Sequence, residues 1–222
     1  MLKTIAKYIF YAFLASSYKS LPGAYYIRFW YQAAINIIIP KYIKSLIIND
    51  LSSKSPFETS SIHTYNSPFE CDGYFHKSNS TYFEELDISR TKLMTTIFQK
   101  FFMFYKTESK TWPYVPVANV FSTFKKEIKP YQKYEVKNRI LGWDQKWLFI
   151  LSKFVSIGKK GEVIHAVCIT KYVLKDGRKT VSPRDALKFC GYQVEKYEKE
   201  SEKGVELVKW FVDTGDVEVL DI

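Results

Sequence analysis

Cysteine and histidine are both scarce in this chain of 222 residues, with three of each. Cys71, Cys168 and Cys190 are odd in number and far apart, which argues against a disulfide framework. A reducing compartment, or a face turned toward one, is the simplest setting. His63, His76 and His165 are equally dispersed. No pair of Cys or His residues has metal-ligand spacing, so neither a metal nor a cofactor is expected.

Acidic residues are missing altogether from positions 1–49, which carry Lys3, Lys7, Lys19, Arg28, Lys41 and Lys44. That stretch supplies six of the ten net positive charges, and the first acid is Asp50. A surplus confined to an apolar, aromatic N-terminus points to an anionic lipid surface or an import signal. Nucleic acid would need Lys and Arg gathered on one face, whereas the rest of the chain interleaves both signs; no nucleic-acid partner is expected.

A long apolar run is also lacking. Residues 5–18 and 24–39 are largely apolar or aromatic, but Lys19, Pro22 and Gly23 divide them and Pro40 closes the second. A bilayer span needs about 20 apolar residues, and neither piece reaches that cleanly. Two short helices lying in the membrane interface, or a shallow hairpin, fit best. A tilted single span and a soluble helical hairpin on the core are the alternatives. An acid-free N-terminus also suits a mitochondrial presequence, although those are usually richer in Arg and Ser. Mitochondria are therefore the favoured membrane, ahead of the endoplasmic reticulum.

What is present in excess is aromatic: Phe, Tyr and Trp make up 18% of residues, which favours sheets, apolar clefts and membrane interfaces. Residues 50–60 are Ser-rich and read as a linker. A helical pattern runs over about 81–104, with Thr81 as N-cap, Glu84 closing a capping box, and Leu86, Leu93, Met94, Ile97 and Phe101 on the apolar face. Extended segments follow near 117–128, 134–141, 146–157 and 162–174, and Asp176-Gly177 marks a turn. Glu135, Lys137 and Arg139 alternate with Val136, Asn138 and Ile140, as in a sheet with one wet face. Residues 147–154 are apolar on both faces and predict a central strand. Short connections imply antiparallel neighbours. The tail predicts two surface helices, near 183–199 and 205–212. One strand, a long helix and a run of antiparallel strands make an α+β order.

The segment Asp72-Gly73-Tyr74-Phe75-His76-Lys77-Ser78-Asn79-Ser80-Thr81-Tyr82 resembles the signature of hotdog thioesterases of the 4-hydroxybenzoyl-CoA type. Asp72, His76, Asn79 and Tyr82 fall in register with it. The following Glu84-Glu85-Leu86-Asp87-Ile88-Ser89-Arg90 is similar to the family's helix, which commonly ends this stretch in Arg. Residues 136–154, with Leu141-Gly142-Trp143-Asp144 at their centre, resemble the branch containing thioesterase superfamily member six, which has an N-terminal membrane segment. The likeness covers about residues 62–185. Two positions depart from the pattern: Phe75 stands where the family has a Gly, and Ser78 replaces one of a pair of Asn residues. That Gly lets the backbone approach the ligand closely, so Phe75 bears on substrate geometry.

The resemblance implies a hotdog fold, in which a curved antiparallel sheet wraps a long central helix. It also implies acyl-CoA thioesterase activity and a homodimer with paired sites at its interface. The domain plan is a membrane-associated segment over 1–49, a linker, a hotdog domain over 61–185 and surface helices over 186–222. Residues 1–45 would then be removable without unfolding the rest.

Thioester hydrolysis needs a nucleophile or base and donors for the carbonyl oxygen. Asp72, in a loop before a helix N-terminus, can attack the carbonyl or activate water; a turn or cap acid is the bland reading. Backbone N–H groups around Asn79 to Thr81 would face the developing oxyanion. Asn79 is otherwise a plain N-cap. His76 would orient Asp72 or meet the thioester, or is a hydrogen-bonded loop residue. Phe75, Ser78 and Tyr82 would contact substrate, Tyr82 being otherwise core. His165 reads as a structural strand residue, and Asp144 as a turn residue. Cys71 lacks a base partner. Two functions compete: a membrane-associated acyl-CoA thioesterase acting through Asp72, and a non-catalytic acyl- or lipid-binding protein on the same fold, which Phe75 and Ser78 favour.

Overall fold

A computed structural model describes residues 1–48, 51–105, 112–208 and 210 of the chain. The N-terminal apolar runs form α1 (Leu2–Ser16) and α2 (Ala24–Ala33), separated by a turn in which Gly23 has φ +85°. From α2 the chain passes through a π-helical turn, Ala34–Ile38, into α3 (Ile39–Tyr42). Pro40 explains the wider turn, because it has no N–H and its ring crowds the carbonyl four residues back. No helix among the described residues is long and apolar enough to cross a membrane, which corrects the tilted-span alternative. Instead α2 lies along the central helix of the domain, leaving Tyr26, Ile27, Trp30 and Tyr31 exposed, while α1 buries no residue.

The linker expectation also changes. Leu51 and Phe57 are buried, and the Phe57 ring stacks on Trp143 at 5.3 Å. Asn49 and Asp50 lie outside the described residues. The chain then forms β1 (Ser60–Tyr65), the long helix α4 (Asn79–Ile97) and, after a break at Phe98, α5 (Gln99–Phe104). α4 starts two residues earlier than expected. Thr81 is not its N-cap: Ser78 holds that position, and the Thr81 hydroxyl donates backward to the Glu70 and Ser78 carbonyls. Leu86, Leu93 and Ile97 are 0, 1 and 5% exposed, as the apolar stripe requires.

Four long strands follow: β2 (Val117–Phe124), β3 (Lys133–Trp143), β4 (Trp147–Gly158) and β5 (Gly161–Asp176), then the short β6 (Lys179–Val181) across the Asp176-Gly177 turn. The first extended segment ends at Phe124, short of the expected 128. All pairings are antiparallel in the order β1-β3-β4-β5-β2, with β6 beside β5. β4 is thus central, as its two apolar faces predicted. Register shifts at Ile140/Gly142 and Phe154/Val155 supply the local twist that helps a sheet curl around a helix. Leu93 and Ile97 of α4 pack in one core cluster with Ile140, Leu148, Ile150 and Leu174, and Tyr82 and Leu86 in a second with Val136, Phe154 and Cys168.

The tail is not a pair of surface helices. α6 (Pro183–Cys190) stops at Gly191, whose φ of +108° lets the amides of Gly191 and Tyr192 reach the Leu187 carbonyl. α7 (Glu198–Val208) packs on the outer face of the sheet. The Ser201 hydroxyl accepts from the Trp143 amide (2.7 Å) and donates to its carbonyl (3.0 Å). A Cβ on Gly204 would lie 1.7 Å from the Leu141 oxygen, and one on Gly142 would lie 2.4 Å from the Ser201 oxygen. These two glycines set how close helix and strand can come. Val205 and Val208 then cover Phe149, which explains why β4 is apolar on its outer face as well.

Two substitutions test this packing. Leu93→Ala should cost about 2–5 kcal/mol in urea unfolding, as expected for a fully buried leucine. Gly204→Ala must push α7 off β3 and should cost roughly 1–3 kcal/mol. A loss below about 0.5 kcal/mol for either, the range usual for surface positions, would contradict the placement.

Candidate active site

The loop between β1 and α4 carries most of the residues singled out by the motif. It is a closed turn: the Asp72 amide donates to the His76 carbonyl (3.0 Å) and the Phe75 amide to the Asp72 carbonyl (3.0 Å). The Asp72 Oδ1 accepts from the Tyr74 amide (3.0 Å), so the bland role as a turn acid is realised by one oxygen. The other, Oδ2, faces His76 Nδ1 at 3.5 Å. The Tyr74 ring stacks on the His76 imidazole at 5.9 Å. Phe75 has φ +57°, the left-handed conformation in which a glycine is at ease. Phe75 therefore carries a phenyl ring on a backbone that suits glycine, at a cost of about 1–2 kcal/mol in local strain.

Asn79 is exposed and is the first residue of α4, not its cap. The hydroxyls of Ser78 and Ser80 lie 3.0 Å apart. The Thr81 amide donates to the Ser78 carbonyl, which leaves the Asn79 and Ser80 amides as the candidate oxyanion donors. Tyr82 is 3% exposed and meets Phe124 and Phe154 edge-on, so it is core. The structure thus brings Asp72, Phe75 and His76 together in one loop, sets Ser78 and Asn79 at the start of the next helix, and withdraws Tyr82 from the surface.

Beneath this loop lies a buried ionic cluster. Lys77 Nζ is 2.9 Å from Glu70 Oε2. Lys19 Nζ is 3.0 Å from Glu70 Oε1, 2.7 Å from Glu85 Oε1 and 3.0 Å from Thr64 Oγ1. Arg28 grips Glu85 with both terminal nitrogens, at 2.7 and 2.8 Å. Lys19, Glu70, Lys77 and Glu85 are each at most 4% exposed. Burial pushes the Glu85 carboxyl up, but the Arg28 hydrogen bonds and the charges of Lys19, Arg28 and Lys77 hold it down at about 2. Burial pulls the Lys77 ammonium below its ordinary range against the opposing pull of Glu70. The Lys77 ammonium also sits over the rings of Tyr82 and Tyr134, each at 5.5 Å.

Residues 67–189 match the family described as the thioesterase-like superfamily, more than half the chain. The chain belongs to this superfamily. Its enzyme class is thioester hydrolase. Among curated proteins, this thioesterase is 52% identical over 212 residues to "Probable thioesterase YBR096W" of Saccharomyces cerevisiae, covering 92% of this chain and 88% of that one. It is 32% identical over 211 residues to "Probable thioesterase atnL" of Emericella nidulans, covering 81 and 69%. Among solved structures, 4-hydroxybenzoyl CoA thioesterase from Pseudomonas sp. strain CBS-3 is 12% identical with a TM-score of 0.46, covering 60% of this thioesterase and 99% of that chain.

The ionic cluster escaped the sequence reading, although one signal was present. Glu85 falls at helical spacing with Tyr82, Leu86, Ser89 and Leu93, so an acid on the apolar stripe demanded a buried partner. Its partners, Lys19 and Arg28, are distant in sequence and belong to the segment read as a separable membrane piece. That separability is corrected. Besides the ion pairs, the Tyr65 hydroxyl donates to the Ser16 carbonyl (2.6 Å), and the Asn36 amide group donates to Thr95 (2.9 Å). His165 and Asp144 are structural, as expected. His165 is buried with Nδ1 near the Lys126 and Glu127 carbonyls, and Asp144 Oδ1 accepts from the Lys146 and Trp147 amides.

Because the Glu85 carboxyl is depressed in the fold, its stabilising contribution is complete above the ordinary carboxylate range and is lost as pH falls toward about 2. Urea unfolding should show stability dropping across that window. Glu85→Gln leaves Arg28 without its carboxylate and Lys19 with Glu70 alone, and should cost about 3–5 kcal/mol at pH 7 while flattening the acid slope. An unchanged slope in the variant would mean that Glu85 does not carry the acid sensitivity. Deleting residues 1–45 removes both cations and should be at least as damaging.

Proposed function

We propose that this thioesterase hydrolyses a fatty acyl-CoA to the free acid and CoA through Asp72. The observation that carries the reading is the Asp72 carboxylate facing the His76 imidazole at 3.5 Å, in a loop that runs into the N-terminus of a 19-residue helix. Either the carboxylate adds to the thioester carbonyl and expels the CoA thiolate, leaving an acyl anhydride for water to cleave, or it takes a proton from an attacking water. His76 orients the carboxylate. The amides of Asn79 and Ser80 donate to the oxyanion, where the helix dipole helps. Phe75 and Ser78 flank the acyl group.

The loop is open on its outer side: Tyr74 and Phe75 are 85 and 79% exposed. Shielding the site from bulk solvent strengthens the electrostatics that act on the oxyanion while leaving room for the reacting water, so a second copy is the natural wall. β2 is an edge strand with Val117, Phe121 and Phe124 partly exposed, the kind of edge that pairs with another chain. A homodimer built on such an edge is part of the reading. Residues 1–49 are the proposed lipid contact, lying in the interface rather than spanning it. Leu2, Ile9 and Phe10 of α1 and Tyr26, Ile27 and Trp30 of α2 are more than half exposed, and Lys3 and Lys7 share α1. The mitochondrial membrane is the proposed location. The non-catalytic lipid-binding alternative is favoured by Phe75 in place of Gly.

Asp72→Asn should lower turnover of fatty acyl-CoA by about 10²-fold or more, the usual scale for removing a catalytic acid or base. Equal turnover by variant and native protein, together with retained acyl-CoA binding, would establish the non-catalytic reading. Light scattering should give a dimer at micromolar concentration. In flotation with anionic vesicles, high salt should leave most of the protein bound while detergent releases it; full release by salt would reduce the contact to electrostatics. Phe75→Gly should raise stability by up to about 1–2 kcal/mol by relieving the left-handed strain.

A further inference from the structure

Glu70 holds both ends of the Asp72–His76 loop. At the entry its carboxylate accepts from the Ser67 amide (3.3 Å). At the exit it pairs with Lys77 (2.9 Å), and its backbone carbonyl accepts from the Ser78 amide (2.8 Å) and from the Thr81 hydroxyl (3.1 Å). Cys71 and Lys77 bridge across the loop base, and the Lys77 amide donates to the Ile128 carbonyl (2.9 Å). A second cation reaches the other oxygen of the Glu70 carboxylate. Lys19 binds Oε1 at 3.0 Å, Ser20 Oγ approaches the same oxygen at 3.5 Å, and the Lys19 ammonium is also tied to Glu85 and Thr64.

We infer that Lys19, delivered by the turn between α1 and α2, is a positioning residue for the Asp72–His76 loop, acting through Glu70. Lys19 touches neither Asp72 nor His76 in any hydrogen bond or ion pair among the described residues, so its effect must be transmitted. Without it, Lys77 is the one cation left on Glu70 among the described residues, and Glu85 keeps only Arg28. A buried carboxylate that loses half of its neutralisation moves toward water or toward another donor. Either motion drags Lys77 and the Ser78 amide, which are one and two residues from His76. The N-terminal hairpin thereby becomes a required part of the site, and anything that lifts it from α4 loosens the loop. The inference rests on the proposed role of Asp72, and its test separates the two.

The experiment uses the full chain with decanoyl-CoA as substrate and amide hydrogen exchange as a readout independent of turnover. In Lys19→Met, kcat should fall about 10- to 100-fold with KM changed less than about 3-fold, as misplacement of a catalytic group would give. Exchange at the Lys77 and Ser78 amides should quicken at least tenfold, and Lys19→Arg should recover part of both. Arg28→Met is the control, because Arg28 binds Glu85 but not Glu70. It removes a partly buried cation of the same cluster and should leave exchange at Lys77 and Ser78 near native. Should Lys19→Met not fold, Lys19→Gln, which keeps a donor toward Glu70, carries the same comparison. Equal effects of the Lys19 and Arg28 variants on exchange and kcat would reduce Lys19 to general stability and overturn the inference. Native-like turnover in Asp72→Asn would instead overturn the catalytic reading, with the exchange data still deciding whether Lys19 orders the loop.

Discussion

Two carboxylates buried side by side, Glu70 and Glu85, are the constraint to which the rest of the N-terminal half answers. Taking such charges out of water costs several kcal/mol each unless partners meet them with good geometry. Lys77 alone cannot satisfy both. Lys19 bridges the pair at 3.0 and 2.7 Å, and Arg28 closes a two-pronged contact on Glu85. The hairpin α1–α2, the loop ahead of α4 and α4 itself are therefore folded as one unit, because no part of the cluster is tolerable without the others. Its worth lies in specificity of placement. A greasy hairpin could slide on a greasy helix, but three charge contacts admit one arrangement.

The sheet obeys a different constraint, close approach without side chains. α4 fills its inner face through Leu86, Leu93 and Ile97, and α7 covers part of the outer face where Gly142 and Gly204 allow backbone to meet backbone. With both faces covered near its centre, β4 can be apolar on both from Trp147 to Leu151. β3 covers its inner face and leaves Glu135, Lys137 and Arg139 on the outer one, where Lys137 meets Glu162 and Arg139 meets Glu200 at 2.9 Å.

The candidate site sits where these two halves join. Its loop is tightly hydrogen-bonded yet holds Phe75 in a left-handed conformation, a strain that persists because Glu70, Lys77 and Ile128 anchor the flanks. The acid that would do the chemistry is also the acid that closes the turn, so the geometry of Asp72 is inseparable from that of the loop.

Much of this was legible in the sequence. The 3.6-residue spacing of Leu86, Leu93 and Ile97, the alternation in β3, the doubly apolar β4 and the Asp176-Gly177 turn are local patterns, and each became the element that it implied. The Asp72 to Asn79 motif likewise kept its order, since it spans one turn and the start of one helix. What only the tertiary structure decided is pairing over distance: that Lys19 and Arg28 end on Glu70 and Glu85, that residues 51–57 are pinned by Phe57 against Trp143, and that α7 lies on β3. A charged residue at helical spacing reads the same whether it faces water or a buried partner some 60 residues away, because burial and ion pairing depend on which surfaces meet. No local window of sequence carries that information.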